Sequence, residues 1–288
     1  MKKTFQVAGH RFSLSMKEGH PLWSKLSQYD PFIVEDGDTI FDLEVVDELN
    51  LPSKTLYYDQ PTEPGETKII LYRIAEDWYF ESMPTSEYSV AMQLWASSDF
   101  RKANLHILQA SQELFALNNA LMLMYAFSTA SLHTLEMHAS VVQNSGKAYL
   151  FLAKSGTGKS THSRMWLENI SGSSLLNDDN PIVRVLEDGY ARAYGSPWSG
   201  KTACYLNEDY PVGAFVQIKR SLQNKATLLN VLGSYAVIYS ACSGIKFDRA
   251  MADGINDTIS KLISSTRVFE LECRPDAEAA KECYEAVK

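Results

Sequence analysis

The chemistry most readily read from this sequence lies in the run Ala153-Lys154-Ser155-Gly156-Thr157-Gly158-Lys159-Ser160-Thr161. A glycine-bearing loop between a strand and a helix can turn several backbone N–H groups toward one anion. The glycines permit an approach that side chains would block. The N-terminus of the following helix adds partial positive charge facing the same anion. Lys159 supplies a full charge suited to the β/γ bridge of a nucleoside triphosphate, and the Ser160 hydroxyl can ligate Mg²⁺. The pattern therefore predicts ATP held by Ser155, Gly156, Thr157, Gly158, Lys159, Ser160 and Thr161, with Mg²⁺ beside it. The flanks agree. Lys147–Ala153 (KAYLFLA) is a nearly continuous apolar run, as a buried strand should be, and a helical pattern covers Ser160 to about Ile170.

A second element, Leu175-Leu176-Asn177-Asp178-Asp179, ends an apolar run with two acids about twenty residues after the loop. One carboxylate can hold Mg²⁺ while the other takes a proton from an attacking hydroxyl. Asn-Asp-Asp-Asn-Pro is also a good turn sequence. A third residue, His138 in Met137-His138-Ala139-Ser140, stands one short hairpin before the loop, where it is either a packed histidine or a neighbour of the phosphates.

His138, Ser155–Ser160 and the Asp178-Asp179 pair together resemble the nucleotide core shared by HPr kinase/phosphorylase and ATP-type phosphoenolpyruvate carboxykinase. The resemblance covers about 45 residues, from His138 to Asp179, and more loosely the chain to Lys219. The Met-His-x-Ser and Ser-Gly-Thr-Gly-Lys runs are closest to the carboxykinase pattern. The substrate-binding arginine segments of the carboxykinases are missing, as is the glycine- and arginine-rich signature that follows the acid pair in HPr kinase/phosphorylase. The likeness is thus to the broader HPr-kinase-like group. It implies an α/β fold with a curved, mixed β-sheet. It also implies that Lys159 binds the β/γ-phosphates, Ser160 and Asp179 hold Mg²⁺, Asp178 acts as base, and His138 lies near the metal or γ-phosphate. Homo-oligomeric assembly is a further implication.

The acceptor is not named by these residues. Tyr194–Lys201 (YGSPWSGK) follows the acid pair and could border an acceptor site, with Trp198 as a wall and Lys201 or Arg192 meeting an anionic group. A plain surface loop anchored by Trp198 fits the same residues. Lys219-Arg220 ends a strand and offers either positive charge or solvated surface. His162 and Arg164, in the first turns after the loop, face the nucleotide base or solvent.

These residues need elements to position them. Residues 1–100 contain short alternating runs at Thr4–Phe12, Thr39–Val45, Thr55–Tyr58, Thr67–Arg73 and Trp78–Glu81. Turn clusters at 35–38 and 60–65 separate them, which predicts a small β-rich unit. Its aromatic residues Trp23, Trp78, Tyr79 and Trp95 read as core. Residues 101–288 read as a kinase-like domain entered through a helical connector over about 102–136. Leu121–Phe127 is apolar on most faces, which predicts that Ala120–Leu132, the most hydrophobic stretch, is part of a buried helix. Strands are expected at Ala139–Gln143, Ser174–Asn177, Pro181–Leu186, Tyr190–Tyr194, Val212–Lys219 and Thr266–Cys273, with helices filling most of the C-terminal third.

Composition sets outer bounds. The chain has 288 residues and a formal net charge of −8, so no general attraction to nucleic acid or an anionic membrane is expected. Its most hydrophobic stretch is too short to span a bilayer. No apolar run of signal-peptide length follows the N-terminal lysines. Cys204, Cys242, Cys273 and Cys283 form no CxxC pair, which predicts reduced, mostly buried thiols. These bounds predict a soluble, cytoplasmic protein, and the loop, the acid pair and the resemblance together imply a Mg²⁺/ATP-dependent kinase acting on a hydroxyl of a small molecule or on a Ser of a peptide or protein. Two alternatives stay open: an ATP-binding regulatory or biosynthetic accessory protein without turnover, and a reduced phosphoenolpyruvate carboxykinase.

Overall fold

The computed structural model describes residues 1–59, 62, 67–84, 89–200 and 202–288, and they form two compact units, Met1–Ser128 and Thr129–Lys288. The first unit carries strands β1 (Lys2–Val7), β2 (His10–Ser15), β3 (Ile33–Val34), β4 (Phe41–Val46), β5 (Thr55–Asp59), β6 (Lys68–Ile74), β7 (Asp77–Met83), β8 (Met92–Ala96) and β9 (Lys102–Ile107). They make one sheet in the order β3-β1-β2-β4-β9-β8-β7-β6-β5. The alternating run over residues 4–12 is two strands. Ala8 and Gly9 take φ of +49° and +81° and fold it into a hairpin. Most of the turn cluster at 60–65 lies outside the described residues.

The boundary differs from the one near residue 100. Lys102–Ile107 is a strand held between β4 and β8: Ala103, Leu105 and Ile107 alternate, and the 3–4 spacing of Leu105, Leu108, Gln112 and Phe115 runs on into the helix that follows. Helix α1 (Glu113–Thr129) follows and ends well before residue 136. Its Leu117, Leu121, Met124 and Tyr125 are fully buried, and the Tyr125 hydroxyl donates to the Val7 carbonyl at 2.9 Å. Trp78 and Tyr79 are core residues, whereas Trp23 and Trp95 are half-buried.

The second unit contains β10 (Thr134–Glu136), β11 (Ala139–Asn144), β12 (Lys147–Leu152), α2 (Lys159–Asn169), β13 (Ser174–Asn177), β14 (Ile182–Val185), β15 (Ala191–Tyr194) and β16 (Asp209–Arg220). β17 (Lys225–Leu228), α3 (Val231–Ala241), α4 (Arg249–Ser265), β18 (Arg267–Cys273) and α5 (Ala277–Val287) complete it. The sheet runs β10-β14-β15-β16-β12-β11-β13, with β18 also on β16 and β17 on β18. It is mixed: β12 and β18 run parallel to β16, while β11 is antiparallel to both β12 and β13. β17, a short exposed strand, carried no sequence signal strong enough to stand apart from the helices around it.

Those directions bring the carboxyl ends of β12 and β13 and the start of β11 to one edge. Ala139 pairs with Leu152 and Val141 with Asn177. Beneath that edge, Trp166 of α2 meets Tyr149 and Phe151 of β12 and Tyr284 of α5, with ring centroids 5.0, 5.2 and 5.7 Å apart. This aromatic packing fixes α2 against the sheet, and so fixes where the loop between β12 and α2 must lie. All four cysteines are buried and unpaired. No helix of the described residues is long and apolar enough to cross a membrane.

Candidate functional site

The loop between β12 and α2 owes its shape to its glycines. Gly156 and Gly158 take φ of +72° and +127°, which side-chain-bearing residues rarely adopt, and a Cβ on Gly156 would meet only open space. Gly158 occupies the N-cap of α2, where no side chain accepts from the first helical N–H groups. Helices α3, α4 and α5 are each capped by a side chain, from Asn230, Asp248 and Asp276. The exposed start of α2 thus keeps backbone donors for an anion, in a region that also exposes Ser155 and Ser160. On the loop's other side, Arg220 at the end of β16 donates to the carbonyls of Thr157, at 3.1 Å, and Gly156.

Lys159 is buried at 8% exposure, and its Nζ lies 2.7 Å from His138 Nε2 and 3.2 Å from the Ala153 carbonyl. Burial pushes its ammonium below the usual lysine range, and the charges of Asp179 and Asp178 oppose that shift. His138 Nδ1 stands 3.1 Å from Asp179 Oδ1. The ammonium can only donate to Nε2, which assigns the ring proton to Nδ1, where it is given to the carboxylate. Lys159, His138 and Asp179 form one connected row.

Asp178 is held differently. It is 4% exposed, and its Oδ1 accepts from the Ser140 hydroxyl at 3.0 Å. Its Oδ2 accepts a long 3.3 Å contact from the Thr202 N–H. Asn177, fully buried, organises the turn: its Oδ1 accepts from the Asp179 and Asn180 N–H groups, and its Nδ2 donates to Ser196 Oγ and the Trp198 carbonyl. The segment after β15 is thereby laid against the acid pair. A Cβ on Gly200 would come within 3.2 Å of Asp179 Cβ, so glycine allows that approach.

The expected acceptor residues divide. Trp198 is 2% exposed, so its ring fills the interior and is no wall of an open site. The large flat side chain is too apolar to leave in solvent once Asn177 has drawn its backbone inward. Arg192 is occupied by an ion pair with Asp209 across β15 and β16. Lys201 lies outside the described residues. His162 faces neither nucleotide nor solvent: it is buried edge-on against Phe151 at 4.7 Å between ring centroids, and burial pushes its imidazole down to about 4. Arg164 is exposed and pairs with Glu168 at 3.9 Å.

Glu136, Ser140 and Ser163 stand beside these groups, yet residue pattern assigned none of them a role, while Arg220, offered by the sequence as either positive charge or solvated surface, holds the loop carbonyls. The one available signal was alternation: Glu136, His138 and Ser140 are polar at every second position of an otherwise apolar segment. Glu136 is 3% exposed and its Oε2 has no hydrogen-bond partner among the described residues. Burial, and then the charge of Asp179, push its carboxyl up to about 8. The folded protein therefore keeps Glu136 protonated at pH 7, whereas the unfolded chain ionises it near the ordinary value of 4.5. A raised acid of this kind costs stability progressively as pH climbs from about 4.5 to about 8, and the cost is constant above that. Glu136→Gln is expected to raise the Tm of the nucleotide-free protein most at and above pH 8, with the gain vanishing toward pH 4.5. Calorimetric scans across that range check it. A gain independent of pH would mean that Glu136 is not held protonated.

Among the described residues no cluster of three or more His, Cys, Asp or Glu side chains could hold a metal ion by itself. Mg²⁺ does not need one, since it is commonly held by one or two carboxylates together with substrate phosphates. Asp179, at 33% side-chain exposure, and the exposed Ser160 suit that kind of binding.

No family model matches the chain, and no curated protein matches it. Among solved structures, the HPr(Ser) kinase/phosphatase from Coxiella burnetii aligns with 52% of this chain and 95% of its own, at 10% identity and a TM-score of 0.31. So loose a superposition leaves the site to be read from its own geometry.

Proposed function

We propose that the second unit binds MgATP at Ser155–Thr161 and transfers the γ-phosphoryl group to a hydroxyl of a small molecule or a Ser of a peptide or protein. The observation that carries this reading is the meeting of a buried lysine with two differently held carboxylates beside an uncapped helix N-terminus. In this reading Lys159 leaves His138 for the β/γ-phosphates, and the loop N–H groups receive the remaining phosphate oxygens. Asp179 and Ser160 hold Mg²⁺, which when bound neutralises charge on the phosphates. His138 keeps Asp179 oriented through Nδ1. Asp178 takes the proton from the acceptor hydroxyl as its oxygen attacks the γ-phosphorus and ADP departs.

A second reading, ATP binding without transfer, draws on the 4% exposure of Asp178, which leaves its carboxylate little open surface. Calorimetric titration with MgATP, followed by ADP formation with free serine, other hydroxy metabolites and Ser peptides, separates the two. Binding with transfer to one acceptor supports the kinase. Binding with no transfer supports the second reading, and no binding defeats both.

Arg220 supplies a further check on the nucleotide loop. Its guanidinium holds two carbonyls outward, which leaves the loop's N–H groups free to turn inward. Arg220→Ala is expected to weaken MgATP binding on the order of tenfold, with kcat little changed. Unchanged affinity in the same titration would show that the loop needs no such staple.

A further inference from the structure

We infer that Ser140 and Ser163 are positioning residues that set the orientation of Asp178 and tie it to α2, a claim that rests on the kinase reading for its catalytic meaning. Ser140 is 0% and Ser163 2% exposed, where α2 packs against β11. Their hydroxyls are 2.6 Å apart, and Ser140 Oγ is 3.0 Å from Asp178 Oδ1. A carboxylate only accepts, so the single proton of Ser140 goes to Asp178. The proton between the two serines must then come from Ser163. The direction of the chain is fixed: Ser163 donates to Ser140, and Ser140 donates to Asp178.

Two buried hydroxyls carry a desolvation cost that alanines of similar size would not. Here the cost is offset by a bond to a charged acceptor, stronger than a neutral one. The result is to hold Oδ1, leaving Oδ2, with its long contact from Thr202, as the oxygen that meets an acceptor proton. The neighbouring acid is fixed by His138, which stands just before β11 and two residues from Ser140: His138 meets Asp179 and Ser140 meets Asp178. One short segment thus assigns two adjacent acids to different partners. Because α2 begins at Lys159, the Ser163 end of the chain links the nucleotide-binding helix to the base.

The test compares Ser140→Ala, Ser163→Ala and Ser140→Cys, the last retaining a weak donor of similar size. Turnover is read as ADP formation on the acceptor panel above, MgATP affinity by calorimetry, and the Asp178 rotamer from crystal structures. Ser140→Ala is expected to lower kcat by roughly 10- to 30-fold with KM for MgATP within about twofold, and to release the Asp178 side chain from its present rotamer. Ser163→Ala should lose about threefold, and Ser140→Cys should recover part of the loss. In an Asp178→Asn background, Ser140→Ala should cost nothing further. A kcat within twofold of wild type, or equal losses of affinity and kcat with an unmoved Asp178, overturns the inference. If the wild type binds MgATP but transfers to nothing, the kinase reading falls alone. The positioning claim is then decided by the Ser140→Ala structure, where an unmoved carboxylate sinks it.

Discussion

Replacing Lys159 by Met is expected to abolish productive MgATP binding, lowering turnover by roughly 1,000-fold or more. Among the described residues the lysine is the one cation buried at the loop, and its ammonium is divided between His138 Nε2 and the Ala153 carbonyl. Those neutral acceptors compensate its charge poorly, which is why burial lowers its pKa despite the two nearby aspartates. A triphosphate would compensate it far better. Methionine keeps the length and apolar stem while removing the charge. Since a desolvated ammonium contributes little net stability, the variant should fold with a Tm near that of the wild type. Calorimetric titration with MgATP on the folded variant decides the matter. Affinity within a few-fold of the wild type would mean that phosphates are not bound at this loop, and the reading of the whole site would fall with it.

Asp178→Asn is expected to do the opposite to binding and nearly as much to catalysis. The amide has the shape of the carboxylate, and its oxygen can still accept from Ser140. Asp179, His138 and Lys159 remain joined in their own row, so MgATP affinity should stay within about threefold of wild type. Transfer should fall by roughly 100- to 10,000-fold, the range that a positioned general base contributes. Asp179→Asn supplies the contrast: it should weaken binding of the Mg²⁺ complex while leaving nucleotide binding without Mg²⁺ less affected. Single-turnover transfer separates the two acids. If Asp178→Asn keeps full transfer, the base is elsewhere and the 4% exposure of Asp178 reflects a structural role.

The parts of this molecule that announce themselves in one dimension are those whose physics is local. A continuous apolar run, glycines at Gly156 and Gly158, and a helical pattern after them form a strand, a turn and a helix because backbone freedom and burial decide each within a few residues. The hairpin of β14 and β15 was legible for the same reason, since Asp188 and Gly189 close it locally. At Lys102–Ile107 the helical spacing that starts at Leu105 and Leu108 hides a strand, whose own apolar residues Ala103, Leu105 and Ile107 alternate. Pairing with β8 close by and with β4, where Asp42 lies opposite Lys102 and so 60 residues back in the chain, makes it a strand.

The candidate site follows the same division. Lys159, His138, Asp178 and Asp179 could be picked out by type and spacing, since such groups are seldom placed near one another without cause. Which partner each would take could not. Ser140 and Ser163 look like ordinary small residues until β11 and α2 are packed together. Glu136 looks like a surface acid until β14 and the segment after α3 cover it. Arg192 and Trp198 looked available until Asp209 claimed one and the interior the other. Residue type sets what a side chain can do, and that is written in the sequence. Whether it is free to do so depends on desolvation and on hydrogen-bond partners from distant strands, which exist only once the sheet has closed its register.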